Sequence, residues 1–360
     1  MNLKVLILPG DGIGVEVTRE AVRVLEHVSR KYKHTLEISE ALLGGAAIHQ
    51  SGTPLPDKTV ELALKADATL LGAVGLPEFD NVPPEKRPEK GLLGIRKALG
   101  VFANLRPVRT YSSLLESSPL KNHLIEGTDM IIVRELTGGI YYGTPRGISG
   151  EGAETTAVNT MVYTRAEIER VARMAFRLAR GRRKKLTSVD KSNVLENSQL
   201  WRKVVTEVAG EFNDVALDHL LVDNCAMQLV LNPRRFDVVL TENMFGDILS
   251  DEGAVLAGSI GMLPSASIGE QRESGAWVGL YEPVHGSAPD IAGQNKANPL
   301  GAIGSVAAML EYSFGLKQEA EAVNRAIETV LGQGRVTADL KPKGAPATTS
   351  EVGEAVCSAI

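Results

Sequence analysis

The stretch Leu3-Lys4-Val5-Leu6-Ile7-Leu8-Pro9-Gly10-Asp11-Gly12-Ile13-Gly14 is an apolar run that ends in a turn rich in glycine. Such a run, stopped by Pro-Gly-Asp-Gly, is typical of a strand that is buried on both faces. Val17, Ala21, Leu25 and Val28 follow at helical spacing, with charged residues between them. The stretch therefore predicts a strand, a tight turn and an amphipathic helix, which is the repeating unit of an α/β protein.

The glycines of this turn do not match the fingerprint of a dinucleotide-binding turn. That fingerprint has the spacing G-x-G-x-x-G, and Val15 stands where its third glycine would be. No Lys-Ser or Lys-Thr pair follows, as a P-loop would require. We interpret Gly10 to Gly14 as a structural turn rather than a phosphate site, so it does not establish a Rossmann fold.

Strand and helix signals continue to alternate along the chain. The predicted elements are a strand at 35–42, a helix at 57–65, a strand at 68–74, a helix at 166–183, a strand at 185–190, a helix at 199–212, strands at 215–223 and 237–241, and a helix from about Phe245. This alternation predicts an α/β fold with a largely parallel sheet. Two regions break it: residues 138–160, rich in Gly and Thr, predict a β-arm, and the chain from Pro299 onward is mostly helical.

Composition narrows the class of protein. The residues are 43% apolar and 23% charged, which excludes a disordered chain. The length of 360 residues predicts two domains, or one large sheet that carries a second lobe. Lys and Arg number 39 against 44 Asp and Glu, and a net charge of −5 argues against a general nucleic-acid binder. Two cysteines make no disulfide framework, and the apolar stretch 254–263 is too short to span a membrane. We expect a cytoplasmic protein.

Three carboxylates are candidate metal ligands. Asp247 and Asp251 lie four residues apart, on one face of a predicted helix, and Asp223 ends a predicted strand. Carboxyl ends of strands are where ligands bind in open α/β sheets. Oxygen ligands without Cys or His nearby predict a hard divalent ion, Mg²⁺ or Mn²⁺. Helix-capping and solvated surface acids are the alternative, and the spacing leaves both open.

Basic residues beside buried segments are candidate substrate ligands. Lys191 closes a predicted strand, where a lysine near a metal can carry a proton, although a lone lysine is more often a surface residue. Three arginines flank apolar elements: Arg96, Arg106 and Arg134. Arginines that emerge from buried segments need anionic partners, which a carboxylate substrate would supply. The alternative is internal ion pairs with Glu89 or Glu135.

The loop from Glu282 to Gly293 is a candidate nucleotide site. It is rich in glycine and carries His285 and Asp290, so that backbone N–H groups could face phosphate and the carboxylate could face ribose hydroxyls. A carboxylate at Asp290 would repel a 2′-phosphate and favour NAD over NADP. A structural loop is the alternative, and the spacing does not decide between them.

Together these segments resemble the β-decarboxylating dehydrogenase family. The motifs that carry the resemblance are Leu8-Pro9-Gly10-Asp11-Gly12-Ile13-Gly14, Val133-Arg134-Glu135-Leu136-Thr137-Gly138-Gly139-Ile140-Tyr141, Asp190-Lys191-Ser192-Asn193-Val194-Leu195-Glu196, the block from Thr241 to Asp251, and the loop from His285 to Gly293. Arg87-Pro88-Glu89-Lys90-Gly91-Leu92-Leu93-Gly94-Ile95-Arg96 resembles the block of the isopropylmalate branch. The isocitrate branch has Ser and Asn there for a third carboxylate, a charge that Leu92 and Leu93 could not satisfy.

The resemblance implies an isocitrate/isopropylmalate dehydrogenase-like α/β fold that is not a Rossmann fold. A long mixed sheet is expected to be shared by two lobes. The first is a discontinuous NAD-binding lobe, residues 1–103 and 258–360, and the second, residues 104–257, carries the β-arm and the dimer contacts. The family also implies an obligatory homodimer, in which Lys191 and Asp223 reach across to the active site of the other chain.

The chemistry that the resemblance implies is NAD-dependent oxidative decarboxylation of 3-isopropylmalate to 4-methyl-2-oxopentanoate and CO₂, a step of leucine biosynthesis. Catalysis is assigned to Lys191 as proton acceptor and to Tyr141 as proton donor. The other assignments fall into three groups. Substrate would be bound by Glu89, Leu92, Leu93, Arg96, Arg106, Arg134 and Asp223; Mg²⁺ or Mn²⁺ by Asp223, Asp247 and Asp251; and NAD by Ile13, Gly261, Ser265, Glu282, His285, Gly286, Ser287, Ala288, Asp290, Ile291 and Asn298.

Two alternatives compete with this interpretation. A tartrate or D-malate dehydrogenase of the same family would share the metal site and the arginines. A non-catalytic nucleotide-binding subunit would lack Lys191, Tyr141 or the metal acids, all of which are present. A metal-dependent hydrolase lacks support, since the chain has no phosphate cradle and no His in a general-base pattern. The polar stretch 270–279 has no assigned role.

Overall fold

The computed structural model of the chain describes residues 1–273 and 275–360. The strands, numbered along the chain, are β1 (Asn2–Gly10), β2 (Thr35–Glu40), β3 (Ala68–Ala73), β4 (Ala103–Arg109), β5 (Asp129–Glu135), β6 (Gly147–Ser149), β7 (Thr156–Val158), β8 (Lys185–Asp190), β9 (Ala216–Leu221), β10 (Val238–Thr241), β11 (Pro264–Gln271) and β12 (Trp277–Pro283). The helices are α1 (Gly14–Lys31), α2 (Gly45–Ser51), α3 (Asp57–Lys65), α4 (Pro88–Leu99), α5 (Asn122–Ile125), α6 (Arg165–Arg180), α7 (Glu196–Ala209), α8 (Val222–Leu231), α9 (Asn243–Leu256), α10 (Leu300–Tyr312), α11 (Lys317–Gly332) and α12 (Thr349–Ala359). The predicted α/β class is confirmed.

Two of the helix starts that differ from the prediction are set by a capping side chain. Helix α9 begins two residues earlier than predicted because the carboxylate of Glu242 accepts hydrogen bonds from the backbone N–H groups of Met244 and Phe245. Helix α6 begins at Arg165 because Thr164 and Glu167 form a reciprocal capping box. One placement was wrong: Asp223 does not end a strand, since β9 ends at Leu221 and Asp223 lies in the first turn of α8.

The first of two compact units consists of residues 1–101, 110–119 and 257–360. Its strands run in the order β2-β1-β3-β12-β11. The pairs β1–β2, β1–β3 and β3–β12 are parallel, whereas β11 and β12 form an antiparallel hairpin. Helix α1 packs against α10 and α12, and β3 is buried along its whole length. Of the stretch 270–279, residues 270–273 and 275–279 lie at the end of this hairpin, and Ser274 lies outside the described residues.

The turn that follows β1 is structural. The carboxylate of Asp11, which is buried, accepts hydrogen bonds from the backbone N–H groups of Gly45, Ala46 and Gly75 at 2.8–2.9 Å. Gly12 has a φ of +55°, and a Cβ there would lie 2.1 Å from the carbonyl oxygen of Ser287. The turn therefore requires glycine because it brings the backbone of two loops together.

The second unit consists of residues 102–109 and 120–256. Its strands run in the order β4-β5-β10-β8-β9, and β4–β5 is antiparallel whereas the other pairs are parallel. Helices α6 and α7 pack against each other, and α9 packs against β4 and β5. Because β5, β8 and β10 run in the same direction, their carboxyl ends lie at one edge, and Arg134, Asp190 and Thr241 occupy those ends.

Two segments differ from the predicted organisation. Residues 110–119, which the sequence placed in the second lobe, cluster with the first unit because the hydroxyl of Ser117 donates to the carbonyl oxygen of Leu340 at 2.8 Å and their 3₁₀-helix packs against α11. In the predicted β-arm, β6 and β7 pair antiparallel, but Gly139–Tyr141 and Gly152–Glu154 are 3₁₀-helices. Among the described residues, no helix is both long enough and apolar enough to cross a membrane.

Candidate active site

Helix α4 of the first unit presents the predicted substrate residues on one face. Glu89, Leu92, Leu93 and Arg96 are spaced by three, four and seven residues along the helix. Leu92 is half-buried and packs against the apolar core around Leu43, whereas Glu89 and Leu93 are exposed. The helix therefore offers a carboxylate, an exposed leucine and a guanidinium side by side, a mixture that suits a ligand with both an alkyl group and a negative charge.

Arg96 is held by a carboxylate that the sequence had assigned to the cofactor. Its guanidinium pairs with Glu282 of β12, and neither side chain is more than 12% exposed. The Nε atom of Arg96 is buried and has no hydrogen-bond partner among the described residues. A buried N–H of a cation without an acceptor is costly, and a ligand carboxylate would satisfy it. The internal pairs considered for this arginine did not include Glu282.

The loop that follows β12 lies against the turn that follows β1. The backbone N–H of Ile13 donates to the carbonyl oxygen of Ser287 at 2.8 Å. A Cβ at Gly75 would lie 3.1 Å from Oε1 of Glu89 and 3.7 Å from Oγ of Ser287, so the carboxylate of Glu89 stands close to this loop. Predicted cofactor residues and a predicted substrate residue therefore meet within the first unit.

His285 is a buried, neutral hydrogen-bond acceptor. Its Nδ1 atom lies 2.9 Å from the carbonyl oxygen of Gly286, so this nitrogen carries the proton. Nε2 is buried and has no hydrogen-bond partner among the described residues. Burial lowers the pKa of the imidazole below its ordinary value, more than the hydrogen bond to Gly286 raises it. A ligand with an N–H donor, such as the amino group of an adenine ring, would fit beside Nε2.

Asn298 and Gly261 form one cluster with a residue that the sequence did not indicate. A Cβ at Gly261 would lie 2.8 Å from Cβ of Asn298. The side-chain amide of Asn298 donates to Asp339 at 3.0 Å, and the hydroxyl of Ser259 donates to the same oxygen at 2.5 Å. Asp339 thus positions two predicted cofactor residues, and no motif marked it because it comes more than forty residues later in the chain.

The other predicted cofactor residues lie on the loop that follows β12, or in the strands β11 and β12. Ser265 of β11 is buried and pairs in register with Glu282 of β12. Asp290 is exposed, and its backbone carbonyl accepts a hydrogen bond from Gln294 at 2.7 Å. Gly286 is exposed, and Ala288 and Ile291 are half-buried. The carboxylate of Asp290 is therefore available to an approaching nucleotide.

In the second unit, Arg134 and Tyr141 converge on Asp247. Arg134, at the end of β5, donates to one carboxylate oxygen of Asp247, and the hydroxyl of Tyr141 donates to the other at 2.8 Å. The guanidinium carbon of Arg134 lies 5.7 Å from the centre of the Tyr141 ring. Burial, followed by the hydrogen bond to Asp247, raises the pKa of Tyr141 to about 12, so the phenol is protonated at neutral pH.

Arg106 faces Asp251, the second carboxylate of α9. Nη1 of Arg106 lies 3.6 Å from Oδ1 of Asp251, and its Nε donates to the side chain of Asn104 at 2.8 Å. Asp247 and Asp251, one turn apart on α9, therefore each face an arginine. Their mutual repulsion is offset by these cations, and they are not simply solvated surface acids.

Lys191 and Asp223 form a separate pair. Nζ of Lys191, just beyond β8, donates to Oδ1 of Asp223 at 2.6 Å. That hydrogen bond is the main reason why the pKa of Asp223 lies below its ordinary value. The side chain of Asp223 is 63% exposed and that of Lys191 is 28% exposed, so a partner molecule or a ligand can reach both.

One chain supplies only part of the predicted metal site. Among the described residues, no group of three or more His, Cys, Asp or Glu side chains is placed to hold an ion. Asp247 and Asp251 provide carboxylate oxygens one helical turn apart, which fits a hard divalent cation as part of its ligand set. Asp223 faces Lys191 instead. The residues therefore fit Mg²⁺ or Mn²⁺ only with further oxygens, from a substrate or from a second chain.

Asn243 is the other residue that the sequence analysis missed. Its buried side chain accepts a hydrogen bond from Nε of Arg134 at 2.9 Å and donates to the carbonyl oxygen of Gly138 at 3.1 Å. It stands in the Thr241–Asp251 motif, and its position four residues before Asp247 was a usable signal.

Known proteins resemble this chain along nearly its whole length. Residues 4–356 match the family model described as isocitrate/isopropylmalate dehydrogenase. The chain is 58% identical over 360 residues to the 3-isopropylmalate dehydrogenase of Geobacillus kaustophilus, covering 100% of this chain and 96% of that protein. It is 54% identical to the 3-isopropylmalate dehydrogenase of Aquifex aeolicus, with 95% and 92% of the two chains covered. The solved structure of isocitrate dehydrogenase from Methylococcus capsulatus superposes with a TM-score of 0.87 at 35% identity, over 99% of each chain. The chain is thus an oxidoreductase, and it belongs to the isocitrate/isopropylmalate dehydrogenase family.

Proposed function

We propose that the protein catalyses the NAD-dependent oxidative decarboxylation of 3-isopropylmalate to 4-methyl-2-oxopentanoate and CO₂, as a step of leucine biosynthesis. The observation that carries the proposal is the convergence of Arg134 and Tyr141 on Asp247, which gathers an anion-binding group, a phenol and a carboxylate within hydrogen-bond distance. Relatives that are named for this activity share more than half of their residues with the chain along nearly its whole length.

The substrate side of the proposal assigns Arg96, Arg106 and Arg134 to the two malate carboxylates. The Nε atom of Arg96 has no hydrogen-bond partner among the described residues, which supports this assignment. The exposed side chain of Leu93, with Leu92 behind it, would contact the isopropyl group. These apolar contacts would discriminate between alkyl groups by only about 1–3 kcal/mol per methylene-sized change, so we expect slower turnover of other 3-alkylmalates.

Each catalytic residue has one proton to move. Lys191 accepts the proton of the 2-hydroxyl group, directly or through water, and Tyr141, whose phenol is protonated at neutral pH, donates a proton to the carbon from which CO₂ has left. Asp247 and Asp251 would hold the divalent cation. When bound, Mg²⁺ or Mn²⁺ supplies positive charge beside the developing oxyanion, and NAD supplies the hydride acceptor.

The cofactor side of the proposal rests on the loop that follows β12. His285 offers a buried acceptor without a partner among the described residues, next to the cluster of Asn298, Gly261 and Asp339. Asp290 is exposed beside it and would repel a 2′-phosphate. These features support NAD rather than NADP.

We further propose that the active enzyme is a homodimer joined through α8 and α9. These helices pack against each other and expose a group of apolar side chains, each 37–60% exposed in a single chain: Met227, Val230 and Leu231 on α8, and Ile248 and Val255 on α9. An exposed apolar patch of this kind marks an interaction surface. Ile148 and Val158 on the β6–β7 hairpin are also exposed and would add to the contact.

The same surface carries the predicted shared ligand. Asp223, Met227 and Val230 are spaced by four and seven residues on α8, so they lie on one face of that helix. Ile248, Asp251 and Val255 are likewise spaced by three and seven residues on α9. Association of two copies through these faces would bring Asp223 and Lys191 of one chain toward Asp247 and Asp251 of the other. It would supply the third carboxylate that one chain lacks.

The test is absorbance at 340 nm with purified protein, Mg²⁺, NAD and 3-isopropylmalate, beside reactions with NADP, isocitrate, D-malate and tartrate. We expect NADH formation with 3-isopropylmalate and NAD, its loss on addition of EDTA, and its return with excess Mg²⁺ or Mn²⁺. A higher kcat/KM for D-malate or tartrate would reject the substrate assignment. Activity that survives EDTA would reject the metal assignment.

A further inference from the structure

Asn243 is the first residue of α9, and its side chain is buried between two segments of the active site. Oδ1 accepts a hydrogen bond from Nε of Arg134 at 2.9 Å, and Nδ2 donates to the carbonyl oxygen of Gly138 at 3.1 Å. Because a guanidinium only donates and a carbonyl only accepts, these partners determine the orientation of the amide. The oxygen and the nitrogen of the side-chain amide are therefore both engaged in hydrogen bonds.

The two segments that Asn243 joins carry the two groups that converge on Asp247. Arg134 is the penultimate residue of β5, and Gly138 immediately precedes the 3₁₀-helix Gly139–Tyr141. Four residues after Asn243, on the same face of α9, Asp247 receives Arg134 on one oxygen and the hydroxyl of Tyr141 on the other. The first turn of α9 thus holds Arg134 and the segment of Tyr141 through two side chains, the neutral amide of Asn243 and the carboxylate of Asp247.

The backbone of Asn243 is also held in place by hydrogen bonds. The backbone N–H of Asn243 donates to the hydroxyl of Tyr163 at 2.9 Å, and that hydroxyl donates to Oε2 of Glu242 at 3.1 Å. A Cβ at Gly138 would lie 2.7 Å from the Tyr163 ring, so the peptide that Asn243 binds rests on the same aromatic side chain. Asn243 therefore cannot shift without moving both segments.

We infer that Asn243 is a positioning residue that sets Arg134 and Tyr141 in register with each other. This inference rests on the proposed function, in which Arg134 binds a substrate carboxylate and Tyr141 donates a proton. Asn243 touches neither substrate nor cofactor in this scheme. Its acceptor oxygen orients the arginine, and its donor N–H₂ fixes the peptide from which the turn with Tyr141 begins.

Two substitutions separate these effects. Asn243→Asp keeps an acceptor for Arg134 but has no donor for the carbonyl oxygen of Gly138, so we expect kcat to fall about tenfold or more while KM for 3-isopropylmalate stays within about threefold. Asn243→Ala removes both hydrogen bonds, so we expect KM to rise about tenfold in addition to the loss in kcat. Calorimetric titration with 3-isopropylmalate and Mg²⁺, without NAD, should show weaker binding only for Asn243→Ala.

Ser188→Ala is the matched control for a purely structural effect. Ser188 is buried on β8 of the same unit, and its hydroxyl accepts a hydrogen bond from Nε1 of Trp201 at 3.2 Å. This variant loses a buried hydrogen bond without touching Arg134 or Tyr141, so Tm should fall while KM and kcat stay within about twofold of the wild-type values. Asn243 variants that match Ser188→Ala in both constants would overturn the inference.

The substrate that the wild-type protein oxidises distinguishes failure of the proposed function from failure of the role of Asn243. If the wild type oxidises D-malate or tartrate in preference to 3-isopropylmalate, the proposed substrate is rejected, and the same comparison of Asn243 variants is made with the preferred substrate. If the folded, dimeric wild type oxidises none of these acids, both the proposed function and the role of Asn243 are rejected.

Discussion

Lys191 and Asp223 form an ion pair with 2.6 Å between Nζ and Oδ1, and it links the residue that follows β8 to the first turn of α8. The pair is partly exposed, and its Asp223 lies on the same helix as the apolar face of Met227 and Val230. In the proposed dimer, this pair is what each chain contributes to the other chain's reaction.

Replacement of Lys191 by Met should remove the proton acceptor. We expect Lys191→Met to lower kcat by about 10²–10⁴-fold, because general-base catalysis contributes factors of this size. The affinity for NAD, measured by calorimetry, should remain nearly unchanged. Lys203→Met, at an exposed position on α7, is the control and should leave kcat unaltered. Turnover that survives in Lys191→Met would remove this lysine from its proposed role.

The cofactor preference should follow the charge at position 290. The double substitution Asp290→Lys with Ile291→Tyr replaces an exposed carboxylate by a cation that can pair with a 2′-phosphate. We expect the ratio of kcat/KM for NADP to that for NAD to rise at least about tenfold. Gln294→Lys adds a positive charge elsewhere on the same loop and should change the ratio less. An unchanged ratio in the double variant would contradict the argument from Asp290.

Charge on the exposed face of α8 should prevent dimer formation. Met227 and Leu231 are 57% and 60% exposed in one chain, so Met227→Glu with Leu231→Glu should leave each chain folded but place buried charges in the proposed interface. Sedimentation velocity should show a monomer with little activity. Leu64→Glu on α3, at a residue that is 60% exposed, is the matched control and should remain dimeric. An active dimer from the double variant would place the interface elsewhere.

Gly246 allows the stem of Arg134 to lie against α9. A Cβ at this position would lie 2.7 Å from both Cβ and Cγ of Arg134 and 2.3 Å from Oγ1 of Thr241. We expect Gly246→Ala to destabilise the protein by about 1–3 kcal/mol, as overpacking does, and to raise KM because Arg134 is displaced. Urea unfolding and steady-state kinetics would measure both effects. In Gly181→Ala the new Cβ would be 3.6 Å from its nearest neighbour, so neither quantity should change appreciably.

Glu20 should make stability depend on pH in one direction. This residue is buried on α1, and burial, opposed mainly by Arg23, raises the pKa of its carboxyl above the ordinary value of 4.5. Between the unfolded and the folded pKa the native state binds more protons than the unfolded state, so the contribution of Glu20 is present at low pH and is lost as pH rises.

The measurement is the unfolding free energy of wild type and Glu20→Gln in urea, from about pH 4 to about pH 8. The wild type should lose stability relative to the variant as pH rises through this window. Glu26→Gln, at an exposed position on the same helix, should show a difference from wild type that does not depend on pH in this way. A constant difference for Glu20→Gln would show that burial does not perturb its carboxyl.

Local pattern was sufficient for several elements of the fold, but it did not indicate β4, β5, β11, β12 or α4. The predicted helix 57–65 and strand 185–190 coincide with α3 and β8, because the spacing of apolar residues and the flanking turn residues are read within a single segment. One error concerned the boundary between β9 and α8. Asp223 was placed at the end of a strand, whereas the chain turns into α8 one residue earlier.

For the site, the motifs indicated the residue types but not their partners. Arg96 was expected to pair with a ligand or with a nearby acid, yet it faces Glu282, which is 186 residues away in the sequence. Arg134 faces Asp247, 113 residues away. Such pairs depend on which strands are neighbours in a sheet and which helix packs over them, and apolar periodicity within one segment carries no information about either.

Composition, periodicity and the motif residues were therefore enough to assign the α/β class, the family and the chemical character of each candidate group. Asp339 and the hydrogen-bond partners of Asn243 became visible only in the folded chain. Asp339 binds Asn298, which lies more than forty positions away in the sequence. Asn243 binds Gly138 and Arg134, which lie more than one hundred positions away. A hydrogen bond requires placement to within a few tenths of an ångström, and for groups so distant along the chain that placement is set by the packing of whole strands and helices.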